Sequence, residues 1–456
     1  MKKYLLLLGL IFAASCASAD KIGYMIITTD EIKSHLTELN RFVELKERQG
    51  YDVSLRTDWG GGEGDAAAEN LRAFLVKEHK ASPSLEYVLL IGDPEPKNGD
   101  VPMKNFSSLG WYYKDDKAYH HYVEVPTNIY YEDLHTDFDK DKDGRFGEWT
   151  RKDEVLEIYT PDGSCKLLGT DDGVGDIDEN RSFGNMFDVC VGRIPCYKGE
   201  PNNYRYVDDM LRATVNYQSG LYDSEYLNRV LINMIPLDGV SERPERFKDP
   251  NYYFGEAVKK DVFDKYGFEC TRIYDREAVD RGYVLPGTDN VYINDIFNRK
   301  NSVAQTVDVW NKGYAIHIWS THGYTHGATA IIDTKNIGKL SKLHPCFIMA
   351  GSCSIGPPEV ADNLAFSFLR EQVAVSVIYA GTSIYGIPQK DFGGDDNYGS
   401  SLFYRFADGV CGGKTAGKAM ASAFRYAPKS WHYWSNLATI NLMGDPSIRL
   451  RKIKKQ

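Results

Sequence analysis

The sequence predicts an α/β protein built on a parallel sheet in two subdomains. Short apolar runs, among them "YVLLIGD", "NRVLINMI", "YAIHIWS", "CFIMAGS" and "VAVSVIYAG", alternate with amphipathic segments of helical period. The runs are continuously apolar, as strands covered by helices on both faces require. A chain of 456 residues is also long enough for two or three folding units of roughly 100–200 residues each. The short polar segment "SGLYDSEY" separates residues 20–222 from residues 223–456.

The elements follow in order. The start, "MKKYLLLLGLIFAASCASAD", has basic Lys2 and Lys3, an apolar core from Tyr4 to Ala14, and Ala17-Ser18-Ala19 before Asp20. That is a secretory leader over residues 1–19, too short in its apolar part to span a membrane. Cys16 offers a competing reading as a lipid anchor, which the small Ala13 disfavours. No later stretch reaches the ~18 uninterrupted apolar residues of a transmembrane helix, so the expected product is exported to the periplasm or the extracellular space.

After the leader, "KIGYMIITT" reads as a strand, and Asp30 caps a helical pattern through Leu36, Leu39, Phe42 and Val43 that stops at Gly50. "YDVSLRT", a helix over 66–79 and "YVLLIGD" complete the first alternation. Residues 94–185, rich in Tyr, Asp, Gly and Lys with weak periodicity, read as elaborated loops at the sheet edge. "FDVCVGRIP" returns as a strand, followed by a helix over 202–218. The second half alternates strands with helices near 255–266, 303–311 and 360–371.

Composition narrows the partners. Loss of the two leader lysines takes the formal charge from −10 to −12, which argues against a nucleic-acid backbone or an anionic lipid surface. Seven cysteines then remain, Cys165, Cys190, Cys196, Cys270, Cys346, Cys353 and Cys411, and an odd number in an oxidising compartment leaves at least one thiol unpaired.

In open parallel sheets catalytic groups gather at the carboxyl ends of strands. "YAIHIWST" ends at His322-Gly323 and "CFIMAGS" ends at Cys353. A thiolate is a strong nucleophile at neutral pH, and a nearby imidazole can protonate a leaving amine. The backbone N–H of Gly323, with that of Cys353, can face a developing oxyanion. His317, inside the strand, reads as a satisfied core histidine. Cys346 begins the strand that Cys353 ends, so it lies near the opposite sheet edge.

"IHIWSTHG", followed 31 residues after His322 by "FIMAGSC", resembles the paired motifs of caspase-like (clan CD) cysteine peptidases. More narrowly, the chain resembles the gingipain family of bacterial thiol proteases. "YVLLIGD", "PTNIYYEDL", "DFDKDKDGRFGE", "FDVCVGRIPC", "VAVSVIYAGTS" and "GDPSIRL" follow in family order and cover nearly all of the chain after the leader.

The resemblance implies a caspase-like α/β sandwich acting on protein or peptide substrates as an exported cysteine endopeptidase through an acyl-enzyme. It makes Cys353 the nucleophile, His322 the general acid/base and Gly323 part of the oxyanion hole. Asp238, in "NMIPLDG", matches the acid that orients the imidazole. Tyr252 and Tyr385 are candidates for the substrate pocket, and Asp249 and Glu256 stand displaced from the acid that confers specificity for basic side chains. No cofactor is expected for the chemistry.

In "DFDKDKDGRFGE", Asp139, Asp141 and Asp143 alternate, Gly144 permits a sharp turn and Glu148 follows. Oxygen ligands at this spacing suit a structural Ca²⁺, and gingipain-like chains carry a similar loop. Asp176 and Asp178 in "GDIDEN" form a weaker candidate. A zinc reading of His322 and His326 lacks a third ligand and the HExxH glutamate. The alternative from another class is a catalytically silent, calcium-stabilised scaffold or binding protein of the same fold.

Overall fold

The apolar runs form eleven strands, which we number along the chain: β1 Gly23–Ile27, β2 Asp52–Arg56, β3 Leu85–Gly92, β4 Cys190–Pro195, β5 Arg229–Met234, β6 Glu269–Asp275, β7 Val291–Asn294, β8 Ile316–Ser320, β9 Cys346–Gly351, β10 Ala374–Ala380 and β11 Ile440–Gly444. They make one sheet in the order β7-β6-β5-β8-β9-β10-β11-β4-β3-β1-β2. All neighbours are parallel except β10 and β11. This computed structural model describes residues 21–114, 117–149, 156–159, 165–168, 176–177, 187–235, 250–275, 291–294, 299–386, 392–393, 398–425 and 430–453. The leader, Cys16, Asp178, Asp238 and Asp249 lie outside them.

Strands from the first half occupy one side of the sheet and strands from the second half the other. The C-terminal strand β11 closes the seam, pairing with β10 over five residues and with β4 at Met443↔Arg193. Apolar cores cover both faces. Within β8, Ile316 and Ile318 enter one core while Trp319 enters the other, the two-residue alternation of a pleated strand.

His317 shares the face of Trp319 and sits in the core, as expected, but it is not satisfied. Neither ring nitrogen has a hydrogen-bond partner, and the ring packs edge-on against Trp310 at 4.1 Å and Trp319 at 4.9 Å. Burial lowers its pKa to about 3, so the ring is neutral at physiological pH.

Three local readings are corrected. The first helical pattern is two helices, Asp30–His35 and Leu39–Arg48, and the cap is Thr29, whose hydroxyl accepts the Ile32 N–H at 3.2 Å. The break is held by Asp208, whose carboxylate takes the N–H groups of Thr37 and Glu38 at 2.9 Å each. Residues 94–185 are more than loops. Lys104–Lys114 and Lys117–Thr127 form an antiparallel hairpin, paired from Lys104↔Thr127 to Lys114↔Lys117, in a second, four-stranded sheet. The helix placed near 255–266 begins at Pro250, five residues earlier, and passes into a π-helical turn at Lys259–Asp264.

The seam is fastened by a buried charge cluster. Asp445, just after β11, is ion-paired with Lys46, and both side chains are fully buried. Asp445 also accepts from Tyr24 Oη at 2.8 Å, Gln218 Nε2 at 2.8 Å and the Ser447 N–H at 2.9 Å, while Lys46 Nζ donates to Ser447 Oγ at 2.9 Å. One carboxylate thereby joins β1, the helix Leu39–Arg48, the helix Asn203–Gln218 and the chain end. Burial alone would raise the Asp445 pKa, but the Lys46 ammonium and the converging hydrogen bonds hold it below its usual value of 3.8.

A depressed acid pKa contributes stability that is present above the usual value and lost as pH falls through the lowered one. Removing one partner of a buried pair leaves an uncompensated charge, so Asp445→Ala is expected to lower unfolding free energy by about 3–5 kcal/mol. Urea denaturation at pH 7 against wild type measures this, and a loss within ~0.5 kcal/mol, the range of ordinary surface substitutions, would contradict the role assigned to the cluster.

Candidate active site

Strand register brings the two motif residues to one edge. β8 and β9 pair in parallel with Ser320 opposite Gly351, and the pairing runs on through the Thr321 N–H to Gly351 O at 3.0 Å. His322 and Cys353 therefore each lie two residues beyond a matched strand end. Both line the same cavity, about 260 Å³ in volume. Gly351 is required by close approach, since a Cβ there would stand 2.5 Å from Trp319 O.

Gly323 packs on the backbone of the cysteine turn. A Cβ at this position would lie 2.4 Å from Cys353 O and 2.7 Å from Ser352 Cβ, so only glycine allows the two turns to touch. Gly323–Tyr324 then pairs with Gly327–Ala328, which pairs with Ile332–Asp333, and the Thr329 N–H donates to His322 O at 2.8 Å. This small sheet fixes the backbone of His322. His326 stands at its tip, exposed, 3.7 Å from the Asp362 carboxylate.

The Cys353 turn is held from the other side. Ser354 adopts φ +53° and its N–H donates to Thr382 O at 2.8 Å. The Ile384 N–H donates to Cys353 Sγ at 3.3 Å. Burial raises the thiol pKa and this backbone donor opposes the rise. None of the six described cysteines outside the 165–168 strand is disulfide-bonded. Of these, Cys353 alone lines the described cavity, while burial pushes Cys190, Cys196, Cys270 and Cys346 up to about 12.

The pocket candidates resolve differently. Tyr252 is buried, its ring 5.7 Å from that of Tyr274, and Phe254 takes the place at the cavity wall. Tyr385 has its backbone clasped by Asn436, which accepts its N–H and donates to its carbonyl, both at 2.7 Å, and its ring packs on Trp431. Its neighbours Ile384 and Gly386 line the cavity. Glu256 is committed to Arg272 Nη1 at 2.8 Å and Tyr274 Oη at 2.9 Å. Sequence reasoning missed Phe254, Ser400 and Phe403; the last two sit on the helix Gly399–Cys411, which it did not place.

The acidic loop also closes on itself. Ligand oxygens of Asp139, Asp141 and Asp143 lie within 4.8 Å of one another, with Gly144 at φ +84°. Glu148 is buried and its Oε2 has no partner; burial and Asp143 push its pKa up to about 7. Asp176, the weaker candidate, comes to the same place, its carboxylate taking the Lys140 N–H at 2.6 Å and the Glu148 N–H at 3.2 Å. Burial raises it to about 6.

No curated protein matches the chain by sequence. Among solved structures it resembles the Arg-specific cysteine proteinase gingipain R (RgpB), with TM-score 0.60 and 16% identity, covering 95% of this chain and 79% of that one. It also resembles the complex of the Porphyromonas gingivalis RgpB pro- and mature domains, with TM-score 0.57 and 15% identity over 94% and 80%. A structure described as a protease follows, with TM-score 0.58 and 12% identity over 94% and 79%. These likenesses show the gingipain, caspase-like fold. The sequence of residues 17–451 matches Peptidase family C25, and the chain belongs to that family of cysteine-type peptidases.

Proposed function

We propose that the protein is an exported endopeptidase in which Cys353 and His322 act as a catalytic dyad. The observation that carries this reading is the register of β8 and β9, which delivers an imidazole and a thiol to one cavity from adjacent strand ends. His322 takes the thiol proton, and the Cys353 sulfur adds to the scissile carbonyl carbon. The oxyanion lies between the N–H groups of Gly323 and Cys353. His322 then gives its proton to the leaving nitrogen as the C–N bond breaks, leaving a thioester. Water, deprotonated by His322, cleaves the thioester and restores the thiol. Orientation of the imidazole is assigned to Asp238 on the family resemblance.

Export rests on the leader of residues 1–19, and among the described residues no helix is long and apolar enough to cross a membrane. The structural cation is proposed to be Ca²⁺ held by Asp139, Asp141, Asp143 and Glu148, with Asp176 in support. The orphan oxygen of Glu148 and the raised carboxyl pKa values suit a site that takes a cation. The loop reaches the active site through hydrogen bonds. Trp434 Nε1 donates to Gly147 O at 2.6 Å, and Asn436 on the same helix clasps Tyr385, beside the residue that donates to Cys353.

An electrophilic acyl-type cysteine probe is expected to label wild type at Cys353, and labelling should fall at least about 100-fold in His322→Ala, the span of one general acid/base. Equal labelling of wild type and Cys353→Ala would return the catalytically silent scaffold as the better reading.

Calcium binding needs ionised carboxylates, so affinity should tighten as pH rises through 6 to 7. In the cation-free protein the raised Glu148 pKa means that stability falls as pH rises from 4.5 through 7, and the cation offsets that loss. Chelation at pH 7.5 should therefore lower the melting temperature, and added Ca²⁺ should restore it. A melting curve indifferent to chelator at every pH would remove the calcium assignment.

A further inference from the structure

The cavity beside Cys353 has an apolar lining that the hydrolytic steps leave unused. Phe254 and Phe403, both almost fully buried, form it with Ile384. Gly386 and Gly399 line the cavity with them. Both glycines are needed there: a Cβ would stand 2.2 Å from the Tyr398 ring at Gly386 and 2.0 Å from Ile384 Cγ2 at Gly399. Ser400, 5% exposed, lines the same wall, and its hydroxyl has no hydrogen-bond partner. On one helix, Ser400 and Phe403 are three residues apart and so share a face.

The distance from this wall to the reacting groups is fixed. Asn251, one turn before Phe254 on the same helix, donates through Nδ2 to Ile235 O at 2.6 Å and to Ser320 O at 3.2 Å. Its Oδ1 accepts from Ser320 Oγ at 2.8 Å. Ser320 ends the strand that leads into His322. The wall is thus tied to the catalytic strand by buried hydrogen bonds, and a side chain entering the cavity meets Phe254 at a set depth.

We propose that this wall selects a large, uncharged side chain, such as Leu, Met, Phe or Tyr, on the residue preceding the scissile bond. The proposal rests on the reading of Cys353 as nucleophile. Apolar side chains gain contact with both phenyl rings and Ile384, and the orphan Ser400 hydroxyl can pair with one neutral polar atom such as a tyrosine hydroxyl. An ammonium or guanidinium would be desolvated there against rings and glycine backbone, and the other hydroxyls lining the cavity, on Ser320, Thr321 and Ser352, already bond to Asn251, Thr329 O and Trp319 Nε1. Among the described residues no carboxylate lines the cavity. Glu256, the carboxylate two residues along the helix from Phe254, is already paired with Arg272 and Tyr274.

The test uses the purified protein and acyl-type electrophilic probes identical except for that side chain: Leu, Phe, Tyr, Gln, Lys or Arg. Adducts are located by peptide mass mapping and rates are compared. The Leu, Phe and Tyr probes should modify Cys353 at least tenfold faster than the Arg and Lys probes. Phe254→Asp should shrink that ratio by raising the Arg rate, with Ser400→Asp as the second variant should the first fail to fold. Arg or Lys probes that react with Cys353 as fast as the Leu probe would overturn the specificity while leaving the nucleophile intact. Labelling that is unchanged in Cys353→Ala, or absent with every probe, would overturn the nucleophile and the specificity together.

Discussion

The parallel pairing of β8 with β9 is the constraint on which the site depends. With Ser320 opposite Gly351, both chains leave the sheet at the same level, and two further residues carry one to His322 and the other to Cys353. A slip of one residue would turn every side chain in the strand to the other face, exchanging Trp319 with Ile318 between the two cores and disrupting the packing of both. Register is therefore held by burial over the whole strand. The glycines at 323 and 351 then let the two turns approach more closely than any side chain would permit.

That local geometry needs a rigid sheet, and the rigidity is assembled from distant parts of the chain. The Lys46–Asp445 pair binds the first strand and its helices to the last strand, which lies between the two halves. A chain of contacts also runs from the acidic loop through Trp434 and Asn436 to the backbone that donates to Cys353. The acidic loop, the cavity lining and Cys353 are thus joined by one chain of contacts, through which a cation bound in that loop would bear on a thiol distant in sequence. The mutual dependence is physical: each link is a buried or half-buried hydrogen bond whose loss leaves a polar group unpaired.

Much of this was legible in the sequence because it depends on local pattern. Continuous apolar runs announced the parallel strands, and two of them end in His322-Gly323 and Cys353, which the structure brings to one cavity. Helix phase was less legible. Tyr252, the residue named as a pocket candidate, turns to the core, and Phe254, two residues and about 200° further around the helix, lines the cavity instead. Asp445 gave no local sign of its role, since its partner Tyr24 is 421 residues away. β11 was missed for a related reason: five residues directly following a helix carry too little periodicity to separate from it. The hairpin 104–127 was read as loop because its aromatic run lacks a clean alternation, and pairing across eleven residues supplied what pattern did not.

The central claim is that His322 and Cys353 work as one unit. It is tested most directly by kcat/KM for a mixed peptide substrate in wild type, Cys353→Ala, His322→Ala and the double variant, each checked for an unchanged melting temperature. Residues acting together lose activity together, so each single variant should fall by about 10³-fold or more and the double variant no further. Activity of His322→Ala within tenfold of wild type, or losses that multiply in the double variant, would contradict it.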